Sequence, residues 1–182
     1  MSHWIATARF KLGSPRQGKA KHEDRIHGVG FAVRNTLLNM VTVSNSGTEC
    51  LLSLCLNTTV GKVTIVSAYA PTLYSSQELK DEFYDALHKV IQTTPRHEQI
   101  ILLGDFNARV GADYNNWSSC LGRFGVGKIN ENGQRLLELC SYNNQCVTNT
   151  FSKQSPSIKF LGDILDRNIG TSSTLLLFGV QT

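Results

Sequence analysis

The stretch Ile100-Ile101-Leu102-Leu103-Gly104-Asp105-Phe106-Asn107-Ala108-Arg109-Val110-Gly111 decides how this chain folds. Four consecutive apolar residues closed by a glycine predict a strand that is buried on both faces of a sheet. Asp105 and Asn107 follow that strand, and in open α/β sheets functional groups collect at the carboxyl ends of strands. Their oxygens are suited to bind a hard cation, a phosphate group, or both. The alternative is that Asp105 only caps a turn, as Asp and Asn often do.

Upstream of this stretch, runs of β-branched and apolar residues alternate with turn-forming residues. Residues 1–25 are predicted to be a loop, and the runs then predict strands at Val29–Val33, Leu37–Val43, Cys50–Leu56 and Val63–Tyr69. Because the last three follow one another with short turns between them, we expect antiparallel pairing.

Two helices are predicted around the central strand. Ser75 and Glu78 fit a capping box, in which each side chain bonds the other residue's backbone N–H. The apolar residues behind it repeat at helical spacing up to Pro95: Leu79, Phe83, Ala86, Leu87, Val90 and Ile91. A second helix is predicted at Gly133–Tyr142 and a further strand at Cys146–Phe151. Antiparallel strands followed by a helix, a buried strand and a second helix predict a layered α/β sandwich.

The composition limits the classes of function. A chain of 182 residues is long enough for one domain with a core, and its net charge of +4 permits an anionic partner without requiring one. No long apolar segment occurs, so we expect neither a membrane span nor a secretory signal. The odd number of cysteines, five, favours reduced thiols in an intracellular protein, nuclear or cytoplasmic and not secreted. The sequence does not indicate the oligomeric state.

The segment Gly122–Ile129 nearly matches the phosphate-binding loop of nucleotide triphosphatases. In that pattern a Ser or Thr follows the lysine and reaches Mg²⁺, but here Ile129 follows Lys128. The segment also follows a polar stretch rather than a buried strand. We therefore expect no nucleotide triphosphate site.

Four segments in this order resemble the endonuclease domain of non-LTR (RTE/LINE-type) retrotransposons, within the endonuclease/exonuclease/phosphatase superfamily: His27–Asn35, Ser67–Thr72, Gly104–Gly111 and Asn130–Leu137. The resemblance runs from about Gln17 to Phe151 and includes craniofacial development protein 2-like sequences, which derive from such elements. It implies two mainly antiparallel sheets flanked by helices, and cleavage of DNA with Mg²⁺ or Mn²⁺ as cofactor.

The resemblance also implies roles for individual residues. Asp105 matches the position that orients or deprotonates the attacking water, and it is also a possible metal ligand. Asn107 matches the position that holds the scissile phosphate, and Tyr69 matches a tyrosine that donates a hydrogen bond to it. Arg109 is suited to pair with a flanking phosphate. Asn132 is either a substrate contact or, with Gly133, only a turn and helix N-cap. His27 is expected to flank a strand.

The chain departs from the family pattern at both ends, so we expect a domain truncated at both ends. The family uses a metal-binding Glu in an early strand and a terminal Asp-His pair. Residues 1–16 contain no acidic residue, and no histidine follows His97. We predict an unrelated or disordered leader at 1–16, a partial domain at 17–151 and a frameshifted tail at 152–182. Codons for Lys159–Asp166 exist that, in another frame, encode a family-like segment.

The predicted function is therefore an endonuclease-like domain whose ancestor cut DNA and which is itself inactive. The alternatives are a non-catalytic remnant that binds nucleic acid or protein, and a pseudogene product with no function. Because strands at both ends of the sandwich would be missing, we also expect a poorly soluble, partly molten product.

Overall fold

The central strand is β6 (Gln99–Asp105) in a computed structural model that describes residues 5–8, 29–33, 35–43, 48–59, 61–151 and 174–178. Ile100 and Leu102 pack in a core on one face of the sheet, and Ile101 and Leu103 pack in a second core on the other. Alternate residues of a strand point to opposite faces, so an unbroken apolar run supplies both cores. The predicted two-sided burial of this strand is confirmed.

The large sheet has six strands in the order β3-β4-β5-β6-β8-β7, and β1 pairs with β2 in a separate two-stranded sheet. Strands β3, β4 and β5 are antiparallel, as predicted, whereas β5, β6, β8 and β7 are mutually parallel. The predicted α/β class is confirmed. The other strands are β1 (Ile5–Ala8), β2 (Gly30–Val33), β3 (Val41–Val43), β4 (Leu51–Thr58), β5 (Gly61–Tyr69), β7 (Gln145–Val147) and β8 (Thr174–Phe178).

Two helices cover one face of the sheet. Helix α1 (Gln77–Thr93) carries the chain from β5 to β6, and α2 (Glu131–Tyr142) precedes β7. Both present buried residues to the core that holds Leu102, among them Phe83, Leu87, Leu136 and Leu137. The N-cap of α1 is Ser76, whose side chain accepts a hydrogen bond from Leu79 N, so the predicted cap at Ser75 is wrong by one residue.

The predicted strand Leu37–Val43 is wrong over its first half. Residues Asn35–Met40 form a 3₁₀ helix, and only Val41–Val43 is extended. A 3₁₀ helix places residues three apart on the same side. Leu37 and Met40 are three apart, and both pack against the core that contains Ile101. The same apolar residues therefore reach the core from a helical turn.

The structure also corrects two expectations for the ends of the chain. Ile5–Ala8, predicted to be a loop, pairs antiparallel with β2. Thr174–Phe178, in the tail for which no strand was predicted, lies between β6 and β7 and is parallel to both. Short apolar runs carry too little signal to reveal a partner that is distant in sequence. His27 lies outside the described residues, and so do the predicted leader and tail apart from residues 5–8 and 174–178.

All five cysteines are free thiols. Burial raises the pKa of the Cys140 thiol well above its ordinary value. Within the described residues, neither helix combines the length and the apolar character needed to cross a membrane.

Candidate functional site

Tyr69 and Asp105 lie side by side at the ends of two parallel strands. They are register partners in the pairing of β5 with β6, and the backbone N–H of Ala70 donates to Asp105 O at 2.9 Å. Paired residues of neighbouring strands point to the same face of a sheet, and neighbouring strands are about 4.8 Å apart. The structure thus brings together two of the predicted catalytic residues, both half-buried at one edge.

Asn107 is held at the same edge by a tight turn. Its backbone N–H donates to Asp105 Oδ1 at 2.9 Å, and its side-chain Nδ2 donates to Ala70 O at 2.7 Å. The backbone of Asn107 has a positive φ of 48°, a conformation that Asn adopts more readily than most residues. The turn-capping role considered for Asp105 is therefore observed, and it occupies one of the two carboxylate oxygens. We call residues Asp105–Val110 the site loop.

Asn130, which was not among the predicted site residues, connects the site loop to α2. It is the N-cap of that helix, and its Oδ1 accepts from Gly133 N at 2.8 Å and from Arg109 N at 3.0 Å. Its Nδ2 donates to Asn107 O at 3.2 Å. The Arg109 backbone is thereby fixed while its side chain remains exposed. An Asn just before the apolar residues of a helix is a typical N-cap, which is the signal that could have identified it.

Asn132 lies beneath the site loop and is completely buried. Its Nδ2 faces three backbone carbonyls, Pro71 O at 2.8 Å, Asn107 O at 3.3 Å and Phe106 O at 3.4 Å. The helix N-cap considered for Asn132 is wrong, because Asn130 occupies that position. The side chain of Asn132 instead ties the segment after β5 to the site loop after β6, so it supports the edge from below.

Helix α1 in turn supports the start of α2. The buried Lys80 Nζ donates to Glu131 Oε2 at 2.9 Å and to Leu73 O at 3.1 Å, and Tyr84 OH donates to Asn132 O at 3.0 Å. The hydrogen bond from Lys80 lowers the pKa of the Glu131 carboxyl, because it favours the charged form. Burial raises the pKa of Tyr84. The site loop therefore rests on a connected set of polar contacts.

The family resemblance implies a divalent cation, and the described residues can be compared with the ligands that such a cation prefers. Mg²⁺ and Mn²⁺ prefer several oxygen ligands. In the part of the chain that the structure describes, no three His, Cys, Asp or Glu side chains are grouped so that they could hold a metal ion. We therefore assign no chemical step to a metal ion.

Comparisons with curated proteins identify relatives over most of the chain. Craniofacial development protein 2 of Bos taurus is 32% identical over 130 residues, which is 71% of this chain and 22% of the relative. The Tragulus javanicus protein of the same name is 30% identical over the same share of each chain. The chain therefore spans about a fifth of the length of these relatives. No family model matches it.

A comparison with solved structures finds the same fold. The endonuclease domain of TRAS1, a telomere-specific non-LTR retrotransposon, superimposes with a TM-score of 0.50 at 17% identity. The match covers 76% of this chain and 52% of the TRAS1 chain. The predicted resemblance to craniofacial development protein 2-like sequences and to a retrotransposon endonuclease fold is confirmed.

Proposed function

Since the chain is similar to craniofacial development protein 2 and has the fold of a retrotransposon endonuclease domain, we propose that it is an endonuclease-like domain of retrotransposon origin. It binds the phosphodiester backbone of DNA at the edge formed by Tyr69, Asp105 and Asn107. It does not cleave that backbone.

The pairing of Tyr69 with Asp105 is the observation that carries this proposal. It sets an aromatic hydroxyl group and a carboxylate at one edge of the sheet, and the bond from Asn107 Nδ2 to Ala70 O holds an amide beside them. An amide nitrogen has two hydrogens, and Ala70 takes one of them. The other is a neutral donor suited to a phosphate oxygen, because a neutral donor binds an anion without competing for a cation.

The surroundings of the edge favour an anion. Arg109 follows the turn, and its side chain is exposed. The hydrogen bond from Arg109 N to Asn130 Oδ1 fixes the backbone from which the guanidinium extends. Arginine binds phosphate with two parallel N–H donors, which gives both affinity and orientation. Such contacts to the DNA backbone position a protein on the duplex without reading its sequence.

The absence of cleavage follows from the residue types that the family uses for chemistry. Cleavage in the family needs a metal-binding Glu from an early strand and a terminal Asp-His pair. Among the residues that the structure describes, no three His, Cys, Asp or Glu side chains are grouped so that they could hold a metal ion. A phosphodiester held at the edge would therefore lack side chains there to hold the cation that neutralises developing charge.

A nicking assay on supercoiled plasmid tests the two parts of the proposal together. With either Mg²⁺ or Mn²⁺, we expect the chain to retard the plasmid on a gel and to leave it supercoiled. Nicking that requires the cation, stops with EDTA and is lost in Asp105→Ala would overturn the claim of inactivity. If the folded chain does not bind the plasmid at all, the DNA-binding proposal is wrong and the alternative of a protein-binding remnant gains support.

Two substitutions at Asn107 test the phosphate contact itself. Asn107→Gly and Asn107→Asp both tolerate the positive φ, and both lose the bond to Ala70 O, but only Asp adds a negative charge beside the phosphate. We expect the Asp variant to bind duplex DNA at least about 10-fold more weakly than the Gly variant, equivalent to about 1.4 kcal/mol. Fluorescence anisotropy at fixed salt measures the difference. Equal affinities for the two variants would mean that Asn107 does not face a phosphate.

A further inference from the structure

The Gly122–Ile129 loop lies directly beside Gly111, the residue that follows the site loop. A Cβ atom on Gly125 would be 2.2 Å from Gly111 O, so only glycine allows the two backbones to approach this closely. Phe124 N donates to Thr150 O at 2.8 Å, and Gly122 N donates to Thr150 Oγ1 at 2.7 Å. The loop thus packs against Gly111 and is hydrogen-bonded to the turn after β7 (Gln145–Val147). Its position is defined by these contacts although it has no regular structure.

The side chains that this loop exposes are basic and apolar. Arg123 and Lys128 are both exposed, and Val126 is 72% exposed between them. The segment 114–130 contains no acidic residue. Asn130 N donates to Arg109 O at 3.0 Å, so the end of the loop is close to the third cation of this surface. Arg109, Arg123 and Lys128 are therefore exposed on two segments that contact each other, and the loop carries no carboxylate to neutralise them.

The loop has no helix N-terminus to offer a triphosphate, because α2 begins at Glu131 and the side chain of Asn130 accepts from Gly133 N. Its cations are instead two separate exposed side chains, Arg123 and Lys128. The phosphates of a DNA strand are repeated along its length, so cations on a segment that adjoins one phosphate-binding point are suited to contact neighbouring phosphates. A protein partner would be expected to bury the apolar residues, whereas a DNA backbone requires the charges.

We propose that Arg123 and Lys128 bind DNA phosphates that flank the one held at the Tyr69, Asp105 and Asn107 edge, so that the Gly122–Ile129 loop sets the length of the bound site. This inference rests on the proposed DNA binding. Each contact is independent of base sequence, since it engages only the backbone. The loop thus resembles a nucleotide-binding motif in sequence but binds the DNA backbone through its charged side chains.

The salt dependence of DNA binding tests this inference. Each phosphate contact contributes about 0.9 to the slope of log affinity against log salt concentration. We therefore expect Lys128→Gln to lower the magnitude of the slope by about one, and Arg123→Gln with Lys128→Gln to lower it by about two, on duplexes of unrelated sequence. Arg123 also lies 5.3 Å from the centre of the Tyr114 ring. Arg123→Lys changes this contact but keeps the positive charge, so it should keep the slope.

Lys89→Gln is the matched control. Lys89 is exposed on α1, which begins at the site edge with Gln77 and runs toward the opposite end of the sheet, where β6 starts. Its removal should leave the slope unchanged. If the wild type binds DNA, Asn107→Asp weakens it, and the double variant keeps the wild-type slope, the inference about the loop is wrong while the proposed function stands. If the wild type binds no DNA, both are wrong.

Discussion

Gly104→Ala should be among the most destabilising single substitutions in this chain, because it forces apart the two strands that carry the candidate site. Gly104 has a φ of +144°, and a Cβ atom there would lie 1.8 Å from Ala68 O on the neighbouring strand. The strained backbone costs about 1–3 kcal/mol. The clash with a backbone atom, which cannot rotate away, adds at least about 2 kcal/mol by analogy with overpacked cores. Urea denaturation gives the free energy of unfolding.

Gly61→Ala provides a control that separates strain from collision. Gly61 has a similar φ of +135°, but nothing lies within 4 Å of its added Cβ atom. It should therefore show the strain alone. If the two variants lower the free energy of unfolding equally, the close approach at Gly104 does not contribute to the loss. Gly104→Ala should also abolish DNA binding. Asp105 is the next residue, so a displaced β6 would separate Asp105 from Tyr69.

Asn132→Asp should destabilise the chain by about 3 kcal/mol at neutral pH, because a buried carboxylate would face backbone oxygens where an amide now donates. The three carbonyls around Nδ2 belong to Pro71, Phe106 and Asn107. Burial and these dipoles should raise the pKa of the new Asp in the folded state above about 3.9, its value in an unfolded chain. The folded state then binds the proton more tightly, so stability falls as the pH rises from about 4 through the folded pKa. The deficit relative to wild type should therefore be smallest in acid.

Asn130→Asp makes the same chemical change two residues earlier and serves as the comparison. Asp is a favourable N-cap, and its charge is stabilised by the helix dipole, so we expect a loss within about 1 kcal/mol. Denaturation at a series of pH values measures both variants. The role assigned to Asn132 would be wrong if Asn132→Asp resembled Asn130→Asp in magnitude, or if its deficit did not depend on pH.

The sequence predicted those features that depend on local patterns. The apolar run Ile100–Leu103 identified a strand buried on both faces, and helical spacing identified α1. The pair Asp105 and Asn107 could be found because it follows directly from that strand. Tyr69 could be found through the family resemblance, and the register of β5 with β6 then brings it beside Asp105.

Other features depend on contacts between distant segments, and these the sequence could not supply. Ser75 and Ser76 are chemically equivalent as caps, so only the geometry of the turn after Pro71 selects Ser76. The burial of Asn132 requires three segments to meet, the ones that contain Pro71, Phe106 and Asn132 itself. Leu37 and Met40 became a helical turn because the position of the second core, not their β propensity, determines their conformation.

The position of β8 (Thr174–Phe178) has a consequence for the order in which the chain can assemble during synthesis. This strand leaves the ribosome after both β6 and β7, yet it lies between them in the sheet. Until it arrives, the hydrogen-bonding edge of β6 has no partner on that side, and β7 has no strand between itself and the rest of the sheet. The partly synthesised domain therefore exposes an unpaired strand edge until β8 is made. A chaperone that binds unpaired strand edges would act on this intermediate. The insertion of β8 between β6 and β7 is therefore the step that joins β7 to the rest of the sheet.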